Sequence, residues 1–178
     1  MATTLLAVAA ACLPTTLADA NFVAGTCKSS DNDQCVAVLG TDPRSAKATT
    51  VRELASIGLD IATANAKDSS SFLAREAGKQ GGVETGNALR QCVSCYGDAV
   101  LALKAAREGF DAGAYGEAEA RTGAAEDAGD RCEQAFTDRG LKSIVPDVDR
   151  RMKDWTSVAS DLIDLLWIVK RSRRLLRA

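Results

Sequence analysis

The chain has 178 residues, enough for one domain with its own core, and it contains no histidine. That absence removes the commonest general base and the commonest metal ligand, so a catalytic triad or a zinc site starts from a poor position. The formal net charge is −2, and residues 21–169 hold 17 basic against 23 acidic side chains, so the body lacks the cationic surface that nucleic-acid binding needs.

Alanine-rich composition, three prolines and few β-branched runs predict an all-α protein. Residues 1–20 read as a secretory signal, with an apolar middle from Leu5 to Leu13 and the small-x-small end Ala18-Asp19-Ala20. Cleavage after Ala20 removes Cys12 and leaves five cysteines, which suits two disulfides and one free thiol in an oxidising compartment. Residues 21–40 carry Cys27 and Cys35 on either side of turn and cap formers, which fits two short helical pieces held by a disulfide. Their separation fits neither a CxxC redox motif nor a zinc site.

Asp42-Pro43 reads as a helix start, a capping residue followed by proline. Val51, Leu54, Ile57, Ile61 and Ala64 then form an inward stripe; the pattern loosens at residues 67–71 and resumes at Phe72-Leu73, which reads as one long helix with room for a break near Asp68. Gly81-Gly82 lacks the lysine and spacing of a phosphate loop and reads as a linker.

Residues 89–136 are the best-defined stretch. Leu89, Cys92, Tyr96, Ala99, Leu103, Ala106 and Phe110 make one helical stripe, and Tyr115, Ala118, Thr122, Ala125, Gly129, Cys132 and Phe136 make a second. They meet at residues 111–113. Folding back at Ala112 brings Cys92 and Cys132 to one level, which favours their pairing and leaves Cys95 as the free thiol, with a Cys95–Cys132 bond as the alternative. After a loop at residues 140–145, Pro146 opens a last helix with the stripe Val148, Met152, Trp155, Ala159, Leu162, Leu166 and Val169. Asp161 and Asp164 interrupt its apolar end, so no transmembrane segment is expected. The fold expected is an up-down-up-down four-helix bundle over residues 43–169, preceded by the disulfide-tied hairpin of residues 21–40. Residues 170–178 form a basic tail that could touch a polyanion or a membrane surface, although cations at a helix C-terminus also suit the helix dipole.

Catalytic readings are weak. Glu117, Glu119, Glu126, Asp127, Asp130 and Glu133 all lie off the inward stripe, and no aromatic residue is interleaved with them to hold a sugar, so a solvated acidic face is the better reading. Cys95 has no histidine to activate it. Thr122 is expected to bond a carbonyl of the preceding turn, and Gly123 and Gly129 are expected to mark close approaches between helices.

The run Ala88-Leu89, Cys92, Tyr96, Ala99, Leu103 and Ala106, followed by Tyr115, Ala124-Ala125, Cys132-Glu133 and Phe136, resembles the plant invertase and pectin methylesterase inhibitor family. The resemblance extends from Cys27 to about Leu166. It implies disulfides Cys27–Cys35 and Cys92–Cys132, no enzymatic activity, no cofactor and no metal. It also implies secretion to the apoplast or cell wall, and a stoichiometric complex in which the inhibitor blocks the cleft of a carbohydrate-active enzyme. The positions that match the contact surface of esterase-directed members include Ser94, Asp98, Arg131, Glu133 and Gln134. Invertase-directed members are associated with a Pro-Lys-Phe motif, which does not occur here. Pectin methylesterase is therefore the expected partner and acid invertase the alternative.

Overall fold

A capping box starts the first long helix. The Thr50 hydroxyl accepts from the Glu53 backbone N–H, and the Glu53 carboxylate accepts from the backbone N–H of Thr49 and of Thr50 at 2.8 and 2.9 Å. Asp42-Pro43, the start expected from sequence, makes only a turn: Asp42 accepts from the Arg44 backbone N–H, and a single 3-10 turn follows at Ser45–Lys47. Proline marks a favourable first position, but two reciprocal bonds at Thr50 satisfy more of the orphan N–H groups.

The computed structural model describes residues 16–175, so most of the signal segment expected at residues 1–20 lies outside the described residues. The helices are α1 (Thr16–Ser29), α2 (Cys35–Leu39), α3 (Val51–Lys79), α4 (Val83–Asp111), α5 (Tyr115–Thr137) and α6 (Pro146–Leu175), and there is no strand among the described residues. The point between Ala20 and Asn21 falls within α1. Helix α3 is the one long helix expected, with no break near Asp68: the Ser71 hydroxyl bonds back to the Lys67 carbonyl instead of competing with the helix. The tail expected at residue 170 begins as the last turns of α6, which reaches Leu175.

Helix α4 packs on α3 and α5, and α6 also packs on α3 and α5. The four therefore make a square in which the α4–α5 face and the α3–α6 face lie on opposite sides. Every member of the α4 stripe is buried, as is every member of the α5 stripe except the half-buried Tyr115. Tyr96, Phe110, Phe136, Leu89 and Leu103 are each at most 1% exposed, and such side chains contribute about 1.5–3 kcal/mol each. Small residues set the helix spacing: a methyl on Gly109 would stand 3.4 Å from the Ala118 nitrogen. Two stripe positions differ from expectation. Ala64 is exposed while Asn65 and Ala66 are buried, and Val169 is about half exposed near the end of α6.

Ion pairs and cation–ring contacts brace the bundle at its turns. Arg107 on α4 donates to the Ser56 hydroxyl, the Ser56 carbonyl and the Asp60 carboxylate of α3 at 2.6–2.8 Å. Arg52 lies over the Phe110 ring and bonds the Tyr115 hydroxyl, tying α3 to the α4–α5 turn. Gly113 takes φ +72° in that turn, a backbone conformation that glycine adopts without strain. The N-terminal hairpin of α1 and α2 is closed by a Cys27–Cys35 disulfide, and Asn32 between them donates to Asp161 of α6 at 2.7 Å. No described helix is long and apolar enough to cross a membrane.

Candidate functional site

The α4–α5 face is built on the second disulfide. Cys92 and Cys132 are fully buried and bonded to each other, with Cα atoms 4.5 Å apart, which brings the two helix backbones close at this level. Residues close to them on each helix point outward. Ser94 and Asp98 of α4 and Arg131 and Gln134 of α5 are exposed. Arg131 donates to Asp98 at 3.0 Å, bridging the helices on the outer surface, and this bond holds the guanidinium even more firmly protonated than usual. Gln134 is tethered to Asp138, just past the end of its own helix. Four of the five expected contact residues therefore share one solvent-facing strip above a covalent crosslink.

Glu133, the fifth, is different. It is half buried, and its Oε1 atom is sealed from solvent without a conventional partner. Facing it is Asp149 from the first turns of α6, only 5% exposed. Asp149 Oδ1 accepts from the Tyr96 hydroxyl at 2.8 Å, whereas its Oδ2 is buried against Glu133. Burial, and secondarily the Glu133 carboxyl group facing it, push the Asp149 carboxyl up to about 8, so at neutral pH Asp149 keeps its proton. Burial and the neighbouring Asp149 also push the Tyr96 phenol up, keeping it a donor.

This polar triad had partial sequence signals. Tyr96 was legible as a core residue, but Asp149 follows Val148 and looks like an ordinary acid of a helix first turn. Its burial depends on Gly129: a methyl there would stand 2.7 Å from the Asp149 carbonyl oxygen, so only glycine lets α6 approach α5 this closely. Gly123, paired with it in expectation, has open space where a methyl would go. The acidic face of α5 is likewise not uniformly solvated, since Glu119, Glu126 and Glu133 are all half buried and burial raises the Glu126 pKa.

Cys95 is unpaired and 3% exposed, and burial raises its thiol pKa, which is the opposite of what a nucleophile needs. Thr122 bonds the Ala118 carbonyl at 2.9 Å. Among the described residues there is no group of three or more potential metal ligands.

The sequence profile described as plant invertase/pectin methylesterase inhibitor matches residues 21–165. Among solved structures, the chain is similar to a mutant form of a pectin methylesterase inhibitor from Arabidopsis, with TM-score 0.67 and 22% identity over 78% of this chain and 95% of that one. It is also similar to a pectin methylesterase inhibitor from Arabidopsis thaliana, with TM-score 0.61 and 22% identity over 82% of this chain and 96% of that one. At that identity the structural likeness establishes the fold. Comparison with curated protein sequences finds no significant match.

Proposed function

Because the chain belongs to the plant invertase/pectin methylesterase inhibitor family, whose members are inhibitors and not enzymes, we propose that it is a secreted inhibitor of a plant pectin methylesterase. In this reading residues 1–20 are removed on export to the cell wall, and the outer α4–α5 face seats in the enzyme's substrate cleft as a stoichiometric complex. The observation that carries the choice of face is the Asp98–Arg131 bridge lying over the buried Cys92–Cys132 bond. Two helices locked at one level present charged groups that lose little freedom on binding, which lowers the ordering cost of association. Ser94 and Gln134 flank the bridge and offer further hydrogen-bonding groups on the same strip, while Glu133 acts from beneath by holding α5 against α6.

The basic end of the chain supports the bundle in this reading. Lys170 donates to the Gly113 carbonyl at 2.7 Å and lies over the Tyr115 ring, so α6 is fastened to the α4–α5 turn.

Titration of a pectin methylesterase with the purified mature chain tests the proposal. Activity is expected to fall linearly to an endpoint near equimolar ratio. Full esterase activity at saturating chain, across acidic and neutral pH, would overturn it, and the same titration of an acid invertase with sucrose as substrate decides for the other target class.

A further inference from the structure

On the side of the bundle away from the α4–α5 face, α3 and α6 enclose a cleft of about 420 Å³, within the ~300–1,000 Å³ range of small-molecule sites. Its polar groups have unused bonding capacity. Asn65 is 5% exposed, and its amide reaches only the Met152 sulfur at 3.7 Å. Ser69 is 7% exposed, and its hydroxyl makes no hydrogen bond to the described residues. Beside them the half-buried Trp155 and Phe72 supply apolar walls. Arg75 and Arg151 are exposed at the edge with Asp68, and neither arginine forms an ion pair among the described residues.

A second pocket, at the α4–α5 turn, makes the contrast plain. There Arg171 lies 5.3 Å from the Trp167 ring centroid and Lys170 is engaged by the Gly113 carbonyl, so the cations and the ring are already occupied. In the α3–α6 cleft, no cation is stacked on Trp155 among the described residues and both arginines remain available.

We propose that the α3–α6 cleft binds an acidic sugar, a pyranose bearing a carboxylate. Its apolar ring face lies on Trp155, its hydroxyls bond Asn65, Ser69 and Asp68, and its carboxylate pairs with Arg75 and Arg151. A neutral sugar would leave two arginines idle. A phosphate ester would bring up to about twice the charge of a carboxylate towards Asp68, with no cradle of backbone N–H groups to offset the added repulsion. Although the chain has few aromatic residues, one tryptophan face suffices for a single sugar ring. Because the cleft and the α4–α5 face lie on opposite sides, the sugar site stands independently of the inhibitor reading.

The test uses the full mature chain carrying Trp167→Phe, which leaves Trp155 as its only tryptophan, titrated with trigalacturonate. A saturable change in Trp155 fluorescence is expected, weakened roughly tenfold or more in R75Q/R151Q, the loss of one or more charge-assisted pairs. N65A/S69A should also weaken binding, and fully methyl-esterified trigalacturonate should bind at least about tenfold more weakly than the free acid. The proposal is overturned by no saturable signal, by equal binding of the esterified trimer, by unchanged affinity in R75Q/R151Q, or by tighter binding of AMP. Inhibition of pectin methylesterase by R75Q/R151Q, measured in parallel, is expected to match the parent chain and reads the inhibitor proposal separately.

Discussion

The Tyr96 hydroxyl donates to Asp149 at 2.8 Å inside the bundle, and the other Asp149 oxygen is buried against Glu133. Three helices thereby meet at one polar point just inside the face that Ser94, Asp98, Arg131 and Gln134 occupy outside. In a core otherwise built largely from alanine and leucine, the Tyr96–Asp149 bond fixes how α4 and α6 sit relative to one another, because a displacement of either strands a buried polar atom.

The raised Asp149 pKa makes stability depend on pH in a stated direction. The carboxyl has an ordinary value near 3.8 when unfolded and about 8 when folded, so folding takes up a proton between those limits. Stability from this group is fully present below about pH 4 and is lost as pH rises towards 8, at up to about 1.4 kcal/mol per unit. Asp149→Asn keeps an acceptor for Tyr96, keeps a donor on the side facing Glu133 and removes the titration. It should raise the melting temperature at pH 7 by about 4–8 °C, corresponding to about 2 kcal/mol, and flatten the profile between about pH 4 and 8. Thermal unfolding of both chains across that range checks it, and an unchanged slope would show that Asp149 titrates normally.

Gly129 and Gly123 should respond oppositely to the same substitution. Gly129→Ala places a methyl 2.7 Å from the Asp149 backbone oxygen, which cannot swing aside as a side chain could, so a loss of about 1–3 kcal/mol is expected. Gly123→Ala meets nothing within 4 Å and replaces a poor helix former by the best one, a gain of about 0.5–1 kcal/mol. Denaturant midpoints at constant m-value measure both.

The Cys92–Cys132 bond closes a loop of 40 residues and the Cys27–Cys35 bond one of 8, so in the chain-entropy model they contribute about 4 and about 2.5 kcal/mol. Replacing Cys92 and Cys132 together by alanine should therefore cost more stability than the same change at Cys27 and Cys35. Cys95, buried with a raised pKa, should resist an aromatic disulfide reagent in the native chain and react fully in denaturant. Fast native labelling would contradict its burial.

The long helices were legible because their apolar stripes repeat at three and four residues without interruption. Leu89 to Phe110 and Ala118 to Phe136 are buried almost as their spacing predicts. The start of α3 was harder to place, because Asp42-Pro43 has the residue types of a helix start, while Thr50 and Glu53 carry the capping-box signature that governs it. Asp149 was not legible, since its burial is created by Gly129 on a different helix, and no period within one element records such an approach. Glu133 lies off the stripe in sequence, but a long side chain at the stripe's edge can turn inward towards a protonated partner, and Glu133 is half buried.

The outer strip separates stability from recognition in a way that a charge swap can read. Asp98 and Arg131 are both about half exposed, so their bridge contributes at most about 1 kcal/mol to folding. Asp98→Ala and Arg131→Ala should each leave the melting temperature within a few degrees of the parent while weakening inhibition of pectin methylesterase roughly tenfold or more, as expected for charged groups near the centre of an interface. The reversed pair D98R/R131D re-forms the intramolecular bridge and should recover any lost stability. It presents the opposite charges to the partner, however, so inhibition should stay impaired. Melting curves together with inhibition constants for the four chains distinguish the roles. If the reversed pair inhibits as well as the parent, the bridge serves only to brace α4 against α5, and the contact with the enzyme must be sought on another face.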